Sequence, residues 1–408
     1  MIDPSRLPRL DAFTLPRGIY LDGNSLGPLP TASQAAIERR LRQWQVHAVG
    51  AWEDWFALSE RLSPALAKLV GAHPDEVIAT GSITSNLHQL MATLHEPSDG
   101  ARDVLATALD FPTDLYAVRA WAERGGGRLR LVPSADGHTI DPAAVEAELE
   151  AGGVSTMLMP VVLYRSAQRF DVRRLTAAAH AAGAVALWDA AHSIGAMPHD
   201  FHDDAVDGAV WCSYKYLNAG PGAPGGLFLH RRHHDRLPGL PGWWGHEKET
   251  QFLMAPTFTP SKGAARLQMG TPPVVSLAGL EGALAVFEEV GVGAVRSRSL
   301  ELTDALLALL EERVPEVRVV TPRPHGERGG HLALTHPRAH ALAAAWRRRG
   351  VVPDVREPDL VRVAPVALYT RELELEQAVT ELRALLDAGE HLLDRQSSTM
   401  ASASISTR

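Results

Sequence analysis

Trp211-Cys212-Ser213-Tyr214-Lys215-Tyr216-Leu217-Asn218-Ala219-Gly220 follows the apolar run Gly208-Ala209-Val210-Trp211 without a break, and Asp189 closes a similar run, Ala184-Val185-Ala186-Leu187-Trp188, earlier in the chain. Both runs have the length and composition of buried strands, so a lysine and an aspartate stand at the carboxyl ends of two neighbouring elements. That pair meets the demands of pyridoxal phosphate chemistry. A lysine amine forms a Schiff base with the cofactor aldehyde, while a carboxylate keeps the pyridine nitrogen protonated and the ring electron-accepting. Taken singly, each residue has a plainer explanation: a lysine reaching from a strand end to solvent, an aspartate capping a helix.

Working outward, apolar runs alternate with helical periodicity. Asp103-Val104-Leu105-Ala106, Leu129-Arg130-Leu131-Val132, Thr156-Met157-Leu158-Met159 and the two runs above read as buried strands, separated by helices over 113–124, 142–151 and 175–182. This alternation predicts an α/β fold whose mostly parallel sheet is covered by helices on both faces, with ligands gathering beyond the carboxyl ends of the strands. Helical segments are also expected at 35–46 and 59–70, the latter with Pro64 near its start. Beyond Pro272-Pro273 the texture changes to alanine- and leucine-rich helices over 276–290 and 297–313, then short strands around 317–320, 330–334 and 360–363. The expected division is a large cofactor-binding domain over 51–274, and a smaller α+β domain from 275–395 accompanied by an N-terminal arm, 1–50. The serine-rich tail, 396–408, has little to bury and is expected to be disordered.

Bulk composition narrows the field. With 408 residues, 45% hydrophobic and 22% charged, the chain has enough apolar content for two cores. Its 40 basic and 48 acidic residues give a net charge of −8, which lacks the basic excess of a nucleic-acid binder. No apolar stretch approaches the ~20 residues that cross a bilayer, the N-terminus lacks a signal-peptide core, and a single Cys212 forms no disulfide framework, so a cytoplasmic protein is expected. Cys212 reads as a small core residue.

Further motifs surround the central pair. In Thr80-Gly81-Ser82-Ile83-Thr84-Ser85-Asn86-Leu87-His88, small hydroxyl residues lead into a helix whose amides suit a phosphate, or simply a helix cap. Phe111-Pro112-Thr113-Asp114 places an aromatic ring at a strand end, where it would lie on the pyridine; a hydrophobic staple is the alternative. Asp189-Ala190-Ala191-His192 sets a histidine one helical turn beyond the aspartate. Gly220-Pro221-Gly222-Ala223-Pro224-Gly225 has the glycine spacing of a dinucleotide loop but leads into a strand, so it reads as a tight turn. His230, His233 and His234 lie among Arg231, Arg232 and Arg236, which disfavour a metal, so a solvated face and no metal site are expected.

Taken together, these segments resemble the kynureninases, a branch of the aspartate-aminotransferase-like (fold type I) pyridoxal phosphate enzymes. The resemblance covers almost the whole chain. It is carried by Tyr20-Leu21-Asp22-Gly23-Asn24-Ser25-Leu26-Gly27, the Phe111–Asp114 loop, Ser213–Asn218, Gly242-Trp243-Trp244-Gly245-His246, Gly270-Thr271-Pro272-Pro273 and Val361-Arg362-Val363-Ala364-Pro365.

Carried over position by position, the resemblance implies that Lys215 holds the cofactor covalently and Asp189 pairs with its ring nitrogen, with His192 nearby. It implies that Ile83, Thr84, Tyr214, Trp243 and Thr271 bind the phosphate, Thr271 from a partner subunit, that Phe111 stacks on the ring, and that Asp114 shares its loop. Arg362 would grip the substrate α-carboxylate, with Ser25, His47 and Thr271 near the aryl ketone and Tyr214 as a proton relay. Plainer roles exist: Arg362 as a strand-surface arginine paired with Asp359, Trp243 as interface packing, His47 as a helix-terminal residue. One stretch, Pro160-Val161-Val162-Leu163-Tyr164-Arg165-Ser166-Ala167-Gln168, is more apolar than the family pattern. The activity implied is hydrolysis of the Cβ–Cγ bond of L-kynurenine or its 3-hydroxy form to an anthranilate and L-alanine, in tryptophan catabolism and NAD biosynthesis. It would be carried out by a homodimer whose sites lie at the subunit interface. The competing readings are another branch of the fold, an aminotransferase or desulfurase, and a regulatory module that has lost catalysis.

Overall fold

The computed structural model describes residues 7–392. Its larger sheet has seven strands: β1 (Val77–Ala79), β2 (Asp103–Thr107), β3 (Leu129–Val132), β4 (Val154–Pro160), β5 (Val185–Asp189), β6 (Gly208–Cys212) and β7 (Gly225–Leu229). Across the sheet they run β1-β7-β6-β5-β4-β2-β3, and β7 alone runs against the other six. Successive residues enter different cores, as a two-residue period requires: Met157, Trp188 and Trp211 join one apolar cluster, while Leu158, Leu187 and Val210 join another on the opposite face. Continuous apolar runs are therefore what both faces need.

Among the described residues, ten helices of nine or more residues accompany the sheets: α1 (Thr31–His47), α2 (Leu58–Val70), α3 (Ile83–Leu94), α4 (Pro112–Arg124), α5 (Pro142–Glu150), α6 (Val172–Ala181), α7 (Val274–Val290), α8 (Val292–Arg313), α9 (Ala339–Arg348) and α10 (Glu372–Asp387). Residues of α2, α5, α6 and α7 pack on one face of the large sheet, and those of α3 and α4 on the other. A second sheet, β8 (Arg318–Val319), β9 (Leu332–Thr335), β10 (Asp354–Arg356) and β11 (Leu360–Val363), has the order β8-β9-β11-β10 and is antiparallel throughout. It shares a core with α8, α9 and α10 through Leu302, Leu306, Leu342, Trp346, Leu375 and Leu382. The arm joins this core through Ile19 and Leu21, with Ile19–Tyr20 pairing in parallel with Val351–Val352. Apolar residues of α7 and of 364–369 belong instead to the large-sheet core.

Several expectations need adjustment. Helices α1 and α8 begin at Thr31 and Val292, earlier than periodicity alone indicated, and Pro64 stands well inside α2. His233 is buried and bonds Asp207 at 2.6 Å, and the His230 side chain is only 14% exposed, so these histidines leave the solvated face to Arg231, Arg232 and Asp235. The cause is Asp207, a buried carboxylate that gathers donors from His180, His233, Arg232 and the Ala186 amide, which together hold it well below the usual range. Residues 396–408 lie outside the described residues. No helix among the described residues is long and apolar enough to cross a membrane.

Candidate active site

Beyond the carboxyl ends of β2, β4, β5 and β6 lies a cavity of about 280 Å³. Lys215, three residues past β6, lines it, and its Nζ lies 2.9 Å from His192 Nε2. Burial, reinforced by Lys215, drives the His192 pKa far down, so a neutral imidazole accepts from the lysine. Its Nδ1 is buried without a protein partner. The lysine loop is braced by the arm: the Gly27 amide donates to the Tyr214 carbonyl at 2.8 Å, and a Cβ at Gly27 would strike Asn218.

Asp189 ends β5 in register with Pro160 of β4 and Val210 of β6, and accepts the Ala191 amide at 2.8 Å. Asp114 and Asp110 stand beside it on the cavity wall. Burial pushes all three carboxyls upward, Asp110 to about 7, and mutual repulsion raises Asp114 further. Asp114 Oδ1 is buried without a partner. Three acids so placed call for a cation or a donor from a ligand. At Tyr214, burial keeps the phenol protonated well above its ordinary range.

The amino end of α3 opens into the same space, with Ser82, Ile83 and Thr84 on the wall. Ser82 caps the helix, its Oγ accepting from the Ser85 amide while Ser85 Oγ accepts from Ser82 N. Gly81 has φ +51° and space for no Cβ, since Asn86 Oδ1 and Ser85 Oγ would both lie 2.5 Å from it. Asn86 ties the turn to the sheet through the carbonyls of Thr80 and Gly226. The result is a rigid ring of amides and hydroxyls at a helix dipole's positive end, a setting for a phosphate.

Phe111 and Tyr164 meet edge to face at 5.3 Å on the cavity rim. With Pro160, Val162 and Leu163 they make an apolar wall, most of it from the 160–168 stretch. Ser25 also reaches the cavity. Arg362 does not line it: the side chain is fully buried, Nε donates to Asp354 Oδ2 at 2.7 Å, Nη2 also donates to Asp354 and, at 3.2 Å, to Ser25 Oγ, and Nη1 donates to the Tyr164 carbonyl. Its partner is thus Asp354 rather than Asp359, because Asp354 stands opposite Arg362 in the β10–β11 register.

His47, Trp243 and Thr271 are not brought to this cavity. All three are exposed. They border an apolar surface that includes a groove between Trp44, Val49, Trp52 and Val275, and the aromatic chain Trp52–Trp244–Trp243–Phe252. Cavity residues that the sequence reading did not single out as site residues include Asp110, Tyr164 and Arg356. Asp110 directly precedes the Phe111 loop, a signal that was available; Arg356 needed the β10–β11 pairing, which no local pattern announces.

The doubly covered sheet with one antiparallel strand, and the lysine and aspartate at its carboxyl edge, define the class: this is the architecture of fold type I pyridoxal phosphate enzymes. Solved structures agree on the fold. A cysteine desulfurase from Thermococcus onnurineus NA1 superposes with a TM-score of 0.78 at 19% identity, covering 91% of this chain and 95% of its own. A C-DES variant with glycine covalently linked to its PLP cofactor gives 0.79 at 22%, covering 94% and 99%. Sequence is more specific. The chain is 40% identical to the kynureninase of Geobacillus thermodenitrificans over 94% of its length and 92% of the relative's, and 38% identical to that of Shouchella clausii with the same coverage. A kynureninase from Bacillus anthracis is 40% identical over 91% of this chain and 89% of the relative. The profile described as "Kynureninase C-terminal domain" matches residues 295–382. The chain belongs to the kynureninase family.

Proposed function

We propose that this chain binds pyridoxal 5′-phosphate at Lys215 and hydrolyses the Cβ–Cγ bond of L-kynurenine or its 3-hydroxy form, releasing an anthranilate and L-alanine. The observation that carries the reading is the convergence of the Lys215 amine, the Asp189 carboxyl and the α3 amino end on one cavity of a kynureninase-family chain. The walls fit that cofactor. Asp189 would hold the ring nitrogen's proton, and a cationic ring there would return this raised carboxyl to its ionised form. Ile83, Thr84, Tyr214, Trp243 and Thr271 would hold the phosphate. Phe111 would cover one ring face, with Asp114 and His192 offering their unpaired polar atoms at its edge.

Bound pyridoxal phosphate supplies an aldehyde for covalent attachment of amines and an electron sink for charge developing next to the substrate nitrogen. With that group bound, the Lys215 amine would serve as the base for the substrate α-proton, and neutral His192 would orient the amine without adding a competing charge. Tyr214 keeps its proton to relay it. Ser25, His47 and Thr271 are the donors for the oxyanion formed as water adds to the γ-carbonyl; one such donor contributes about 3 kcal/mol. Arg362, held behind Ser25 on the cavity wall with its side-on edge on Asp354, would supply positive charge towards the α-carboxylate.

The same reading makes the active unit a homodimer. Trp44, Val46, Val49, Trp243, Phe252, Leu253 and Met254 are large, apolar and exposed, and they surround the residues missing from the cavity of the single chain. Covering this surface with a second copy would bring His47, Trp243 and Thr271 to the partner's cavity. A cytoplasmic location and a place in tryptophan catabolism and NAD biosynthesis belong to the same proposal, supported by family membership.

The test is a spectrophotometric assay of anthranilate release with both ketones. Turnover of at least one is expected, and Lys215→Ala should abolish both turnover and the cofactor's visible band. A Lys215→Ala protein that still turns over, or a wild type inactive on both ketones, contradicts the proposal.

A further inference from the structure

Asp354 lies between two guanidinium groups. Its Oδ2 accepts from Arg362 Nε and Nη2, and its Oδ1 accepts from Arg356 Nη1 at 2.8 Å. The sheet builds this arrangement: Asp354 and Arg362 are directly opposite across β10 and β11, and Arg356, two residues beyond Asp354 on the same strand, projects to the same face.

The two arginines differ in what they have left to offer. Arg362 is fully buried, and four bonds to Asp354, Ser25 and Tyr164 occupy four of its five N–H groups. Its side-on edge, where a carboxylate would be gripped through two parallel bonds, is taken by Asp354. The Arg356 side chain is 35% exposed and lines the cavity, while its hydrogen bonds, to Asp354 and the Val355 carbonyl, both use Nη1. Its Nε and Nη2 engage no protein acceptor among the described residues.

The geometry points to Arg356 as a second guanidinium for the substrate's α-carboxylate, acting beside Arg362 and oriented by Asp354. This rests on the reading that the cavity takes an α-amino acid. Two arginines sharing one aspartate leave a net charge of one, which matches a single carboxylate. Ser25, bonded to Arg362 and lining the cavity, marks where that carboxylate approaches. Arg356 is thereby a specificity-determining residue: it favours ligands bearing the acid over simple amines.

The test compares wild-type, Arg356→Gln and Arg356→Lys holoenzymes. Affinity for L-alanine and for ethylamine, which lacks the carboxylate, is read from perturbation of the cofactor band, and KM and kcat are measured with L-kynurenine. Arg356→Gln should weaken L-alanine by about tenfold or more, raise KM more than it lowers kcat, and leave ethylamine unchanged, since a charged hydrogen bond is lost only with the acid. Arg356→Lys should recover part of the loss. Alanine affinity within about twofold of wild type overturns the proposal, as does an equal loss for both amines. If the glutamine variant does not retain cofactor, the lysine variant decides: alanine affinity equal to wild type overturns it there too, because a point charge cannot replace the planar fork. A wild type that binds L-alanine but does not cleave kynurenine would instead sink the hydrolase reading and leave the alanine comparison intact.

Discussion

At the scale of single residues, the cavity concentrates acid. Asp110 is 5% exposed, and its carboxyl accepts from the Thr107 amide and hydroxyl at 3.0 and 2.6 Å. Burial raises its pKa to about 7, so the folded protein keeps the proton through a range where the unfolded chain has released it. For an acid shifted upward the sign is unfavourable: its contribution falls as pH rises from about 4 to about 7, and the full penalty persists above. Asparagine keeps the shape and cannot ionise. Its Oδ1 can accept the Thr107 amide and its Nδ2 can donate to the hydroxyl. Asp110→Asn should therefore gain about 1–3 kcal/mol on wild type between pH 5 and pH 8, measured by urea unfolding of cofactor-free protein. The difference reports Asp110 together with the relief of its repulsion on Asp114, and both act in the same direction. Parallel pH profiles would remove the burial argument.

Much at this scale was legible. Lys215, Asp189, His192, Ile83, Thr84, Phe111, Asp114, Tyr214 and Ser25 all line one cavity, because strand ends and helix starts announce themselves locally in apolar runs and capping residues. The histidines at 230–234 misled for the opposite reason. Their surroundings in sequence are basic, but their partner, Asp207, arrives from the start of another strand.

Elements carry what local patterns omit. The pairing of Asp354 with Arg362 is a fact of the β10–β11 register, invisible to any window shorter than the hairpin. Burial pulls the Arg362 pKa down while Asp354 opposes it, so the ion pair is the condition on which a charged guanidinium resides there. Removing one partner of a buried pair leaves the other uncompensated, a loss of about 3–5 kcal/mol. Asp354→Ala should cost that order of stability in thermal or urea unfolding, while Asp359→Ala, remote from Arg362's bonds, should cost little. Comparable costs for the two would mean that the register does not matter. The element boundaries also explain the small discrepancies in helix starts. α1 begins right after Pro30, whose fixed backbone suits a helix entry, whereas hydrophobic spacing becomes visible only a turn later.

The whole molecule poses the question of its own incompleteness. A cavity with a lysine, acids and a ring of donors suited to a phosphate is formed by one chain, but His47, Trp243 and Thr271 are exposed amid an apolar surface. If two copies share sites, defects on opposite chains should complement. Lys215→Ala and Trp243→Ala homodimers would each be impaired at every site. Unfolding and refolding them together should restore up to about a quarter of the sites, because half of the dimers are mixed and one site in each carries neither change. Activity of the mixture equal to the average of the separate proteins would show that each chain works alone.

One detail of the large sheet has a bearing on how the protein is made. Strand β1 leads directly into the Gly81–Thr84 turn, yet its only neighbour in the sheet is β7, about 150 residues further along. During synthesis the turn therefore leaves the ribosome long before the strand that anchors it, and the vitamin-derived ligand has no finished seat to occupy. Capture of that ligand by a nascent polypeptide should begin only after Leu229 has emerged.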